Sequence, residues 1–160
     1  GFTLIELLVV IIIIGILSAI ALPSFLSQAN KAKQSEAKTY IGSLNKAQQA
    51  FYVEKNAFSD SIKTLGVGIQ TETTNYKYAC AIVDNVGGQC TAQAPDAVKD
   101  TSPLRRYGGL TYSIDPDDNA DATTTSIICE TNTNENIKDF GSKDGKCPDE
   151  DNGHSSKVGA

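Results

Sequence analysis

The stretch that most constrains this chain is its start. From Leu7 to Leu22 there is no charge, and only Gly15 and Ser18 interrupt the aliphatic side chains. A segment this apolar does not stay in water. Wound as a helix at ~1.5 Å per residue, Phe2 to Leu22 nearly covers the ~30 Å hydrocarbon core of a bilayer. Glu6 stands just inside its N-terminal end, and no Lys or Arg lies within twenty residues of it. A charged carboxylate in lipid is expensive, and one sealed in a dry core more so. Two readings of Glu6 stay open. It takes an amine, either at the start of its own helix or from a neighbouring copy displaced along the axis. Or it simply favours the positive end of the helix dipole in the headgroup zone. An amine from a neighbour gives every copy one donor and one acceptor, a head-to-tail contact that propagates as a filament.

The start does not read as a cleaved secretory signal, because no basic residue precedes the apolar run and helical patterning continues past it. Pro23 removes a backbone donor and leaves the Ala19 carbonyl without its helical partner. Gly15, Ser18 and Pro23 therefore mark the softest part of the helix, a segment expected to kink or melt locally.

Beyond Pro23 the pattern becomes amphipathic. Ala37, Tyr40, Ile41, Leu44, Ala47 or Gln48, and Phe51 recur at helical spacing, with lysines on other faces. The helix should end near residues 54–56. Phe58–Asn75 reads as a connecting loop with one helical turn, its Ile62, Leu65, Val67 and Ile69 covering a sheet edge. Tyr76–Val83, Leu110–Ile114 and Thr124–Glu130 read as strands, the second half-buried by its alternation. A fourth strand is expected near Ile137–Phe140. Gly87-Gly88 and Asp115–Asn119 read as turns. The expected fold is α+β: a long N-terminal helix, half protruding and half packed on a small antiparallel sheet with disulfide-closed loops. Its parts are 1–23 (transmembrane or filament core), 24–56 (amphipathic helix), 57–75 (connecting loop), 76–147 (sheet and disulfide loops) and 148–160 (a loose acidic tail).

The four cysteines, Cys80, Cys90, Cys129 and Cys147, form no CxxC pair, and the single histidine is His154. Two disulfides in an oxidising compartment fit this better than a zinc site. Three pairings are possible. The local ones, Cys80–Cys90 and Cys129–Cys147, are favoured because each closes a short polar loop. Asp115 to Ala160 holds eleven Asp/Glu against four Lys, which argues against general nucleic-acid binding. Asp115, Asp117, Asn119 and Asp121 alternate like the start of a calcium loop. But Ala120 replaces the required Gly, and Ser126 the bidentate Glu, so an acidic turn is the expectation and no metal is assigned. Arg105-Arg106 reads as a solvated pair, with DNA, anionic polysaccharide or an acidic neighbour as alternatives. Phe2, Phe25, Tyr40, Phe51 and Tyr52 read as packing aromatics. With one histidine in a polar tail, no catalytic triad can be built, and neither an enzyme nor a cofactor is expected.

Gly1-Phe2-Thr3-Leu4-Ile5-Glu6-Leu7, with the aliphatic run and Pro23, resembles the N-terminus of type IV pilins and their pseudopilin relatives. Phe58–Gly66, Tyr107–Leu110 and Thr125–Glu130 are similar to major pilins of cyanobacterial type. The resemblance implies cleavage between Gly1 and Phe2 by prepilin peptidase and N-methylation of Phe2. It implies that Glu6 pairs with a neighbour's N-terminal amine and that Gly15 to Pro23 loses helicity in the filament. It also implies an inner-membrane subunit that an assembly machine moves into an extracellular pilus serving twitching motility, adhesion or DNA uptake. On this reading the mature protein starts at Phe2. A type II secretion pseudopilin and a plain single-pass anchor of a binding domain are the alternatives.

Overall fold

The computed structural model describes residues 1–83, 86–95, 102–114, 123–131, 145–148 and 155–158. The chain divides into two compact units, Gly1–Lys33 and Gln34–Ala160. One helix, α1 (Leu4–Lys55), belongs to both and has Pro23 inside it. Its 52 residues correspond to about 78 Å. It runs unbroken through Gly15 and Ser18, with Asn56 following at φ 53°, a left-handed stop that Asn tolerates.

In the first unit the large hydrophobics from Phe2 to Leu26 are all exposed, from Val9 at 47% to Phe2 at 94%. This is an apolar surface that a water-soluble helix would not carry. In the second unit the helix becomes one-sided. Ala37, Ile41, Leu44, Asn45 and Gln48 are buried, so the predicted stripe holds, and Gln48 rather than Ala47 takes the contested position.

A one-turn helix α2 (Ile62–Leu65) follows, capped by Ser61 and closed by Gly66 at φ 68°. Ile62 is in the core, and Leu65, Val67 and Ile69 pack against it. Among the described residues the sheet has five antiparallel strands in sequential order: β1 (Lys77–Val83), β2 (Gly87–Gln93), β3 (Tyr107–Ile114), β4 (Thr123–Thr131) and β5 (Ser155–Lys157). The three predicted strands are β1, β3 and β4. Both expected disulfides form, Cys80–Cys90 between directly opposed residues of β1 and β2, and Cys129–Cys147.

Three expectations need correction. Gly87-Gly88 is not the turn but the start of β2; just before it, Val86 N–H donates to Val83 C=O. A Cβ on Gly88 would lie 2.9 Å from the Gln48 side chain, so Gly88 lets the strand approach α1, while a Cβ on Gly87 would collide with the backbone of Thr111 in β3. Second, β3 is covered on both faces. Thr111 donates to the Asn45 carbonyl on the α1 side, while Leu110 and Tyr112 on the other face are also buried. Third, the chain end is not wholly loose. Ser155–Lys157 pair with Cys129–Thr131, and Val158 N–H donates to Ile128 C=O. The expected strand at 137–140, the acidic turn with the calcium candidates Asp115, Asp117, Asn119 and Asp121, and His154 lie outside the described residues.

Candidate assembly site at the N-terminus

Thr3 precedes the first helical residue and Glu6 is the third residue of the helix, the positions of a capping box. The box is complete. Thr3 N–H and Thr3 Oγ1–H both donate to Glu6 Oε2 at 2.7 Å, and Glu6 N–H donates to Thr3 Oγ1 at 3.3 Å. Glu6 thus has a partner within its own chain, although no ion pair with the terminal amine forms among the described residues. Both Thr3 donors converge on one carboxylate oxygen. Oε1 takes neither, so the arrangement orients the acid without using it up.

Thr3 is the residue that sequence reasoning passed over. Its signal was present, since Thr-x-x-Glu before an apolar run is a helix-start signature. Gly1 and Phe2 precede the helix and are exposed, Phe2 at 94%. Gly15, Ser18 and Pro23 lie within helix, exposed on all sides.

In the second unit α1 is held by polar side chains that the hydrophobic pattern did not flag. Glu36 accepts from Thr73 Oγ1 at 2.6 Å, Asn75 Nδ2 at 2.8 Å and Tyr78 OH at 3.3 Å. Burial pushes its carboxyl up, but the three hydrogen bonds outweigh that and leave it below the ordinary carboxylate value. Gln48 Nε2 donates to Ser59 C=O at 2.6 Å, and Ser59 N–H donates to Gln48 Oε1 at 2.9 Å. The connecting loop is therefore tied to α1 near both of its ends.

Around Glu36 lie Tyr40, Tyr76, Tyr78 and Tyr107, with successive ring centroids 5.2–6.3 Å apart. Desolvation raises the hydroxyl pKa of Tyr76, Tyr78 and Tyr107, and neighbouring negative charge adds to it. The expected solvated arginine pair divides. Arg105 is exposed and bridges Glu130 at 2.9 Å, a carboxylate that also meets Lys38 at 3.5 Å, whereas Arg106 is buried. Among the described residues no group of His, Cys, Asp and Glu could hold a metal ion.

The described residues thus combine an exposed apolar helical stretch, a capped acid at its start, and an α+β unit closed by two disulfides. The profile of type IV pilin-like G and H proteins matches residues 34–148, and the prokaryotic N-terminal methylation motif matches residues 1–22. The chain belongs to the type IV pilin-like family.

Among characterised relatives, the type IV major pilin protein PilA of Myxococcus xanthus is 52% identical over 66 residues, 41% of this chain and 30% of its own. The fimbrial protein EcpC of Eikenella corrodens is 38% identical over 88 residues, 55% of this chain and 56% of its own. The type IV wide pilus major component PilA4 of Thermus thermophilus is 30% identical over 98 residues, 55% of this chain and 75% of its own. The chain thus spans about half or less of the first two relatives. No solved structure matches it.

Proposed function

We propose that this chain is the structural subunit of a type IV pilus, a major pilin whose work is polymerisation. The observation that carries the reading is the pairing of an exposed, uncharged helical stretch, Leu7–Leu22, with a single positioned acid at its start. Prepilin peptidase cleaves between Gly1 and Phe2 and methylates Phe2, as the match to the methylation motif supports. The subunit waits in the inner membrane with α1 in lipid. Pilus assembly machinery then extracts it, and the apolar helices of successive copies bury one another in the filament core. Glu6 meets the N-terminal amine of a neighbour, which replaces an exposed acid in lipid by a charge-paired one. The segment from Gly15 to Pro23 yields its helicity as copies are packed, because Pro23 already lacks one bond of the ladder. The sheet and its disulfides face the medium. The filament serves twitching motility and adhesion, with DNA contact as a further role. The chain acts as a structural protein and not as an enzyme. The relatives named above are pilus components, which favours a pilin over a secretion pseudopilin.

The test is Glu6→Ala. It is expected to leave membrane insertion intact and to abolish filaments on whole cells. Normal filaments from that variant would overturn the reading and favour a plain anchor. The intact mass of the filament subunit checks processing, since unmodified Gly1 in that mass would contradict cleavage and methylation.

A further inference from the structure

Lys31 and Lys33 are the first charges after Glu6. Lys31 follows Glu6 by 25 residues, about 37 Å of helix at ~1.5 Å per residue. A bilayer with its headgroup layers is ~40–45 Å thick. A spanning helix with Glu6 in one headgroup layer therefore delivers both lysines to the opposite one. The residues just before them fit that depth. Phe25 is 71% exposed, as an interfacial aromatic would be, and Ser27, Gln28 and Asn30 are polar.

Both lysines are exposed and make no ion pair among the described residues. The nearest acid on α1, Glu36, is already occupied by Thr73, Asn75 and Tyr78. Two residues apart on a helix, they point about 200° from each other, so they reach headgroups on both sides of α1. Their long aliphatic stems let the ammonium groups sit at phosphate level while the stems stay in apolar surroundings.

We propose that Lys31 and Lys33 form a binding site for anionic phospholipid headgroups in the leaflet opposite Glu6. The inference rests on the membrane-inserted waiting state proposed above. An acidic protein partner fits the charge equally, but the helix length brings the lysines to headgroup depth whatever other protein is present. The site fixes how deep α1 sits. Its contacts must also break when the subunit leaves the membrane, so extraction becomes sensitive to lipid charge.

The test uses the full chain in nanodiscs of equal phosphatidylcholine and phosphatidylglycerol, with retained lipids counted by native mass spectrometry. Phosphatidylglycerol is expected to be enriched on the order of tenfold over phosphatidylcholine, since each basic side chain near the surface adds a severalfold preference. Lys31→Gln/Lys33→Gln should remove the enrichment, and Lys46→Gln/Lys55→Gln should keep it. Insertion without enrichment, enrichment that survives loss of both lysines, or equal loss in the Lys46/Lys55 variant would overturn the site and leave the pilin reading standing. Failure of the wild-type chain to insert at all would overturn both.

Discussion

Gln48 on α1 holds Ser59 in the connecting loop through both halves of its amide, donating to the Ser59 carbonyl at 2.6 Å and accepting from the Ser59 N–H at 2.9 Å. Both residues are buried, Gln48 completely. The backbone of Ser59 thus depends on a side chain eleven residues earlier for its hydrogen bonding. Replacing that amide by a similarly sized apolar group strands a donor and an acceptor away from water. Gln48→Leu is expected to destabilise the protein by about 2–3 kcal/mol. Denaturant unfolding of the full chain in detergent, followed by circular dichroism, reads this as a lowered midpoint.

Gly109 of β3 faces Asn45 and Ile41. A Cβ there would collide with Asn45 Oδ1 and lie 2.7 Å from both Asn45 Nδ2 and Ile41 Cγ2. Gly109→Ala is therefore expected to lose about 2–3 kcal/mol through overpacking. Asn45→Ala alone also destabilises, because Asn45 Nδ2 donates to the Ile127 carbonyl at 3.1 Å. In the double variant the space left by Asn45 accepts the new methyl, so its loss should fall short of the sum by about 1 kcal/mol. Strict additivity in a double-mutant cycle would show that the collision is relieved elsewhere.

The capping box at Thr3 predicts a graded series. Thr3→Ser retains the hydroxyl and should behave as wild type. Thr3→Val keeps the shape, loses the hydroxyl, and should weaken the first helical turn by about 1 kcal/mol. Amide exchange at Leu7, whose N–H donates to the Thr3 carbonyl at 3.3 Å, reports the fraying directly in micelles. Equal protection in both variants would mean that the box contributes nothing.

Stability should fall on both sides of neutral pH. Glu36 has a lowered carboxyl pKa in the fold, so its contribution is present above the unfolded carboxylate range and is lost as pH falls through the folded value. Tyr76, Tyr78 and Tyr107 have raised values, so their contribution is present below the ordinary tyrosine range and is lost as pH rises above about 10. Thermal melts across pH should show Glu36→Gln with a flatter acid limb and a smaller change on the alkaline one, because Tyr76 and Tyr78 lose the neighbouring carboxylate charge. An acid limb identical to that of wild type would remove Glu36 from the account.

Much of this was legible from local pattern. The length of α1, its buried stripe, both disulfides, the α2 turn and three of the strands follow from helical spacing, short polar loops and β-branched runs. What was misread shares a cause. Gly87-Gly88 has a turn's local preference, yet it lies in β2, where the Thr111 backbone fills the space a side chain on Gly87 would need and Gln48 the space one on Gly88 would need. The polar 155–157 segment has no apolar face to announce a strand, and it pairs because β4 offers an edge. The alternation of β3 implied one wet face, but a strand cannot register that its second face will also be covered.

The opening stretch carries the same division. By itself the sequence determined that Leu7–Leu22 must leave water and that an acid stands at its tip. These depend on composition and on spacings of a few residues. Only the tertiary structure decided that Glu36 binds Thr73, Asn75 and Tyr78, that Gln48 holds Ser59, and that glycines in β2 and β3 make room for side chains of α1. Those pairings join residues eleven to more than sixty positions apart. No local preference encodes them, because each partner's buried surroundings exist only once the helix and sheet have met.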